Sequence, residues 1–137
     1  WEALEYLRRF PGLRLTADFS HWTCVCERLP EDQAEALELA CARAVHMHGR
    51  VGQEQAPQVS DPAAPEFARH VEWFEAQWDK ILQAHRQAGA REITFCPEYG
   101  PPSYLPTLPH TQAPVASLWE ICLWAARRIR QRWDGKL

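Results

Sequence analysis

Three short apolar runs of the chain each end on a side chain that can bind a metal ion. These side chains are Asp18, His48 and Glu98. Two carboxylates and an imidazole form a donor set that suits Mn²⁺, Mg²⁺, Co²⁺ or Zn²⁺. A divalent cation polarises a carbonyl group and acidifies the neighbouring C–H bond, and a nearby carboxylate can then move the proton. The three residues therefore predict metal-assisted proton transfer, provided that the fold brings them together.

Further polar side chains accompany the same runs. His46 and His48 are separated by one methionine, so on a strand both imidazoles point to the same face. His21 lies three residues after Asp18, and Arg50 lies two residues after His48. We expect His21, Arg50 and His46 to contact a substrate that is bound beside the metal.

These residues also have ordinary structural interpretations, which the sequence leaves open. Asp18 could cap a helix or a turn, and His21 could be a surface residue of a loop. His46 could fill the wall of the site, and Glu98 could be a solvated acid. Polar residues of the following long loop are either substrate contacts or plain loop residues; these are Arg50, Glu54, Gln58 and Asp61.

The hydrophobic pattern predicts helices that alternate with strands. Strands are predicted at about 13–18, 43–48 and 92–97, and helices at about 2–10, 30–39, 66–88 and 115–133. The segment 18–22 is predicted to leave the first strand as a loop, 23–29 is ambiguous, and 49–65 and 99–114 are long loops. Such alternation predicts an α/β fold whose parallel strands are joined by right-handed crossovers.

Composition limits the class of protein. A chain of 137 residues with a net charge of −3 suits one domain and has no basic surface for nucleic acid or an anionic membrane. Five scattered cysteines favour a reducing cytoplasm over a disulfide framework. Three strands cannot close a barrel, and the chain begins with Trp1. We therefore interpret residues 1–137 as part of a larger domain whose N-terminal strands are missing.

Three motifs resemble the last three strand ends of the xylose isomerase-like TIM barrels, a superfamily that includes the sugar phosphate isomerase/epimerase proteins. The motifs are DFSH at 18–21, HMH at 46–48 followed by Arg50, and PEYGP at 97–101. The resemblance covers nearly the whole chain. It implies that the chain is the C-terminal part, about three βα units, of a (β/α)8 barrel.

The resemblance also implies roles for individual residues. Asp18, His48 and Glu98 match metal ligands of the ketose 3-epimerase-like members, and His21 matches their substrate-contacting histidine. Glu98 would also be one of two carboxylates that shuttle a proton; the second would lie upstream of this chain. Arg50 stands closer to the histidine than the arginine of those members does. Without the second carboxylate, we expect this chain to be inactive alone.

The resulting functional hypothesis is a divalent-metal-dependent isomerase or epimerase that acts on a sugar or sugar phosphate through an enediolate. One alternative is a zinc-dependent abasic-site nuclease like endonuclease IV, which shares the superfamily, although the acidic net charge disfavours binding to DNA. Another alternative is a non-catalytic sugar-binding remnant. No partnership with nucleic acid or membrane is predicted, and a homo-oligomer is compatible with the sequence.

Overall fold

The computed structural model describes residues 2–136 and contains five α-helices and one parallel sheet. The elements in chain order are α1 (Glu2–Arg9), β1 (Leu15–Ala17), α2 (Phe19–Cys26), α3 (Ala34–Arg43), β2 (Ala44–His48), α4 (Ala68–Gln87), β3 (Thr94–Cys96) and α5 (Leu118–Trp133). A short 3₁₀ helix, Pro65–Phe67, leads into α4. Within the described range, no helix is both long enough and apolar enough to cross a membrane.

The three strands pair in parallel in the order β1-β2-β3, as the alternation of helices and strands predicts. The pairing places Ala17, Met47 and Phe95 in one row and Thr16, His46 and Thr94 in the next. Because successive side chains of a strand point to opposite faces, the two rows lie on opposite faces of the sheet.

Within residues 2–136, helices cover one face of the sheet and leave the other open. Ala17 and Met47 are buried in the main core, together with apolar side chains of α3 and α4 such as Leu37 and Phe74. The other face carries polar side chains that stay accessible to solvent; these are Thr16, Thr94 and Cys96. The sheet therefore has an apolar, packed side and a polar, open side.

The segment after β1 corrects the sequence prediction. Residues 18–22 are not a loop, because α2 begins directly after Asp18 and runs over Phe19–Cys26. The helix ends at Glu27, which has a positive φ of 51° and whose amide bonds back to Cys24. Hydrophobic periodicity does not reveal this helix, because its apolar and polar residues are not separated onto two faces. Its start is set by the Asp18 side chain, which caps it.

The other predicted elements exist with shifted ends. The helix predicted at 30–39 is α3. It starts at Ala34, because backbone turns at Leu29–Gln33 precede it, and it continues to Arg43. The strand that follows begins at Ala44. The first and third strands shorten to three residues each, and the last two helices lose the residues before Ala68 and Leu118.

Helices α4 and α5 are joined by a network of ion pairs. Glu75, whose side chain is 3% exposed, contacts Arg128 Nε at 2.5 Å and Arg132 Nη1 at 3.2 Å. Asp79 accepts from Arg132 Nη2 at 2.7 Å and from Trp133 Nε1 at 2.9 Å. This network fixes α5 beside α4 and so holds the segment after β3 in place.

The Asp79 pairing predicts an acid-sensitive contribution to stability. Burial alone would raise the pKa of Asp79, but the hydrogen bonds from Arg132 and Trp133 outweigh it and lower that pKa. A carboxyl whose pKa is lower in the folded state contributes stability above its ordinary pKa and loses it as pH falls through the folded value. Urea denaturation should therefore show wild type losing more stability than Asp79→Asn between about pH 6 and about pH 3. The exposed Asp134→Asn control should follow wild type, and equal slopes for all three proteins would contradict the prediction.

Gly49 lies where β2 meets the ring of Phe95. A Cβ atom at Gly49 would lie 1.7 Å from Cζ of that ring, which packs edge-on between Trp78 and Trp133. We expect Gly49→Ala to lower the free energy of unfolding by about 1–3 kcal/mol, since the ring or the backbone must shift to admit the Cβ atom. Gly12→Ala is the matched control, because a Cβ atom there meets nothing within 4 Å. Chemical denaturation measures both, and equal stability of the two variants would disprove the steric account.

Candidate metal centre

Asp18 follows β1 directly and caps helix α2. Its Oδ1 atom accepts hydrogen bonds from the amide of Ser20 at 3.1 Å and from the Ser20 hydroxyl. The other carboxylate oxygen, Oδ2, is turned toward β2, where it lies 2.8 Å from Arg50 Nη2. The helix cap and the predicted ligand role are thus compatible, because each uses a different oxygen of the same carboxylate.

The three predicted metal ligands meet at the carboxyl edge of the sheet. His48 Nδ1 lies 2.8 Å from Glu98 Oε2 and 3.5 Å from Asp18 Oδ2. One ligand atom from each residue lies within 4.8 Å of the other two. Ligand atoms about 2 Å from a shared cation are separated by about 3–4 Å, so these separations are of the right size.

The Oε2 atom of Glu98 is buried and makes no hydrogen bond. Its short distance to His48 Nδ1 lacks hydrogen-bond alignment, and Arg50 Nη2 is 3.6 Å away. A buried carboxylate oxygen without a partner is costly, and a bound cation would remove that cost. This atom is the strongest sign in the structure that the cluster suits a positively charged ligand.

Arg50 is a buried cation beside the same carboxylates, with a side chain only 3% exposed. Its Nη2 atom lies 2.8 Å from Asp18 Oδ2 and also 2.8 Å from His21 Nε2. The ring of Tyr104 lies over the guanidinium at 5.2 Å. Arg50 is thus one guanidinium beside two carboxylates, Asp18 and Glu98. The Tyr104 ring therefore covers the Arg50 guanidinium. A contact between Arg50 and a substrate stays a prediction.

The two remaining histidines occupy different positions. The His46 and His48 rings stand edge to face with centroids 5.2 Å apart, which confirms that both point to the same face of the sheet. His46 Nδ1 lies 2.6 Å from Thr94 Oγ1, so this residue lines the wall beside the ligands. His21 is at the rim, with 55% of its side chain exposed and Nε2 3.6 Å from Asp18 Oδ2.

The two long loops are locked together above the sheet edge. Gln58, which is 1% exposed, donates to the carbonyl of Gly100 at 3.1 Å and accepts from its amide at 2.7 Å. The amide of Val51 donates to the Tyr99 hydroxyl at 3.1 Å, and burial raises the pKa of that phenol well above its usual range. These bonds keep the loop after β2 and the loop after β3 in one arrangement around Arg50.

Other polar residues of the first loop have structural partners. Glu54 lies 3.0 Å from His70 Nε2, and this hydrogen bond lowers the pKa of Glu54. Asp61 accepts from the amide of Ala63 at 2.9 Å.

Sequence reasoning missed Ser20 and Tyr104 as site residues. The position of Ser20 two residues after a capping aspartate was an available signal, whereas nothing local marks Tyr104.

No protein-family model, curated protein or solved structure matches this chain. The function is therefore inferred from the side chains and their geometry.

The hydrogen bonds between Gln58 and Gly100 predict that Gln58 contributes more to stability than Gln55 does. Gln58→Leu removes the side chain that pairs with both the amide and the carbonyl of Gly100, two partly buried groups, which should cost about 1–3 kcal/mol of stability. Gln55→Leu, at an exposed position of the same loop, should change stability by less than about 0.5 kcal/mol. Thermal and urea denaturation of both variants measure this difference. If Gln58→Leu were as stable as Gln55→Leu, the lock would have no energetic role.

Proposed function

We propose that this protein is a divalent-metal-dependent isomerase or epimerase of a small sugar or sugar phosphate. The observation that carries the proposal is the convergence of Asp18, His48 and Glu98, in which Oε2 of Glu98 is buried without a hydrogen bond. The proposal includes the fold: the chain would be three consecutive βα units that close an eight-stranded parallel barrel of the xylose isomerase-like kind.

The arrangement of the sheet supports the barrel part of the proposal. Parallel strands in the sequential order β1-β2-β3 keep their connecting helices on a single face when every crossover has the usual right hand. In a (β/α)8 barrel that face points outward, the opposite face lines the interior, and the site lies at the carboxyl ends of the strands. The packed and open faces of this sheet match that division.

The donor set fits a divalent cation of the Mn²⁺ to Zn²⁺ class. Asp18, His48 and Glu98 would hold it, and the two carboxylates are ligands that such a cation prefers. When bound, such a cation supplies polarisation of a substrate carbonyl, which acidifies the adjacent C–H bond.

The side chains around this position divide the remaining tasks. Glu98 is the proposed proton carrier, because its side chain is 42% exposed overall although Oε2 is buried. His21, at the exposed rim, is placed to donate a hydrogen bond to a substrate oxygen. Asp18 is engaged by Ser20 and Arg50, so within residues 2–136 the cluster offers no second free carboxylate. We therefore expect this chain to bind the cation without turning over a sugar alone.

Calorimetric titration with Mn²⁺ and with Zn²⁺ tests the proposal. Wild type should bind one ion, and Asp18→Asn, His48→Gln and Glu98→Gln should each weaken binding at least about tenfold, because each removes a ligand. Asn is as good a helix cap as Asp, so Asp18→Asn should remove charge while α2 stays folded.

His110→Gln is the control, since His110 is exposed on the loop after β3 and lies outside the cluster. Circular dichroism on the same samples verifies folding. A folded wild-type chain that binds neither ion would refute the proposed centre, and so would equal binding by the three ligand variants.

A further inference from the structure

We infer that Ser20 is the positioning residue of this centre: it anchors one oxygen of Asp18 so that the other faces His48 and Glu98. The inference rests on the proposed metal site and adds a residue that is not itself a ligand. Ser20 is completely buried, between the carboxylate that it orients and the Arg50 guanidinium.

The contacts of Ser20 form a clamp on two charged groups. Its hydroxyl donates to Asp18 Oδ1 and accepts from Arg50 Nε at 3.0 Å. Its backbone amide also donates to Oδ1, at 3.1 Å. Arg50 Nη2 in turn donates to Oδ2 at 2.8 Å. Ser20 therefore holds one oxygen of the carboxylate and Arg50 holds the other.

An aspartate carboxylate needs such a clamp to act as a one-oxygen ligand. The χ2 torsion of aspartate is broad and roughly two-fold, so the two oxygens exchange easily unless one of them is fixed. With Oδ1 held by Ser20, Oδ2 stays 3.5 Å from His48 Nδ1. Losing the hydroxyl leaves only the backbone amide on Oδ1 and releases Arg50 Nε, so both carboxylate and guanidinium gain freedom.

The loop after β2 is shaped to bring this clamp together. A Cβ atom at Gly52 would lie 3.0 Å from Cβ of Ser20 and 3.1 Å from its carbonyl oxygen. The glycine thus lets the loop pack directly on the first turn of α2. That contact brings Arg50, two residues earlier in the loop, within hydrogen-bond distance of Ser20.

The test compares Ser20→Ala with wild type, first without metal and then with it. In the metal-free protein, NMR should show an Arg50 Nε–H that exchanges slowly with solvent in wild type and quickly in Ser20→Ala. With Mn²⁺, calorimetry should show affinity about 10–100-fold lower for the variant, as is usual when a residue that orients a ligand is lost. The visible absorption of bound Co²⁺ should also shift, because it depends on ligand geometry.

Two further variants keep the test decisive. Ser117→Ala also removes a hydroxyl from a helix N-terminus, where it accepts from the Glu120 amide, but it lies outside the centre and should leave Mn²⁺ affinity unchanged. Ser20→Cys preserves the shape of the side chain while replacing the hydroxyl by a weak donor, so it decides the question if Ser20→Ala does not fold.

The outcomes separate this inference from the proposed function. If wild type binds Mn²⁺ and the Ser20 variants match it in affinity, Co²⁺ spectrum and Arg50 Nε–H exchange, Ser20 has no positioning role and the metal centre stands. If the folded wild type binds no divalent ion, both the inference and the proposed function are overturned.

Discussion

Main-chain hydrogen bonds hold β1, β2 and β3 side by side in parallel, so all three strands end at the same edge of the sheet. Asp18 follows the last residue of β1, His48 ends β2, and Glu98 lies two residues after β3. Every contact of the candidate centre depends on this register. A slip of one residue in β2 would turn His48 toward the helices and bring a core residue to the site.

The register also creates an electrostatic problem that the loops solve. Two carboxylates brought this close repel each other, and partial burial removes the water that would screen them. Arg50 supplies a compensating positive charge, with Tyr104 over one face of its guanidinium. Gln58 and Tyr99 fix the loops that carry this cover. Loop residues thus do as much as the strands to define the centre.

Sequence reasoning could predict where the strands lie and which polar residues stand at their carboxyl ends, because the relevant signals are local. Apolar runs that stop at polar residues mark the strands, and alternation places His46 and His48 on one face. Helix α2 was not predicted, because its start depends on the Asp18 cap and not on hydrophobic periodicity. Gln58 pairs with Gly100, which is 42 residues away in the chain. This pairing follows from tertiary packing, so no local sequence pattern predicts it.

Partial burial is what would make these three side chains a selective centre instead of an acidic patch. Exposed carboxylates are well hydrated and bind divalent ions weakly, because each ion must displace water for little gain. Here Oε2 of Glu98 is buried and makes no hydrogen bond, and Oδ2 of Asp18 is held toward it. A cation bound there would gain two negative oxygens and an imidazole that the fold already brings together. Burying Oε2 without a hydrogen bond, with Arg50 Nη2 3.6 Å away, costs stability that the rest of the fold must supply.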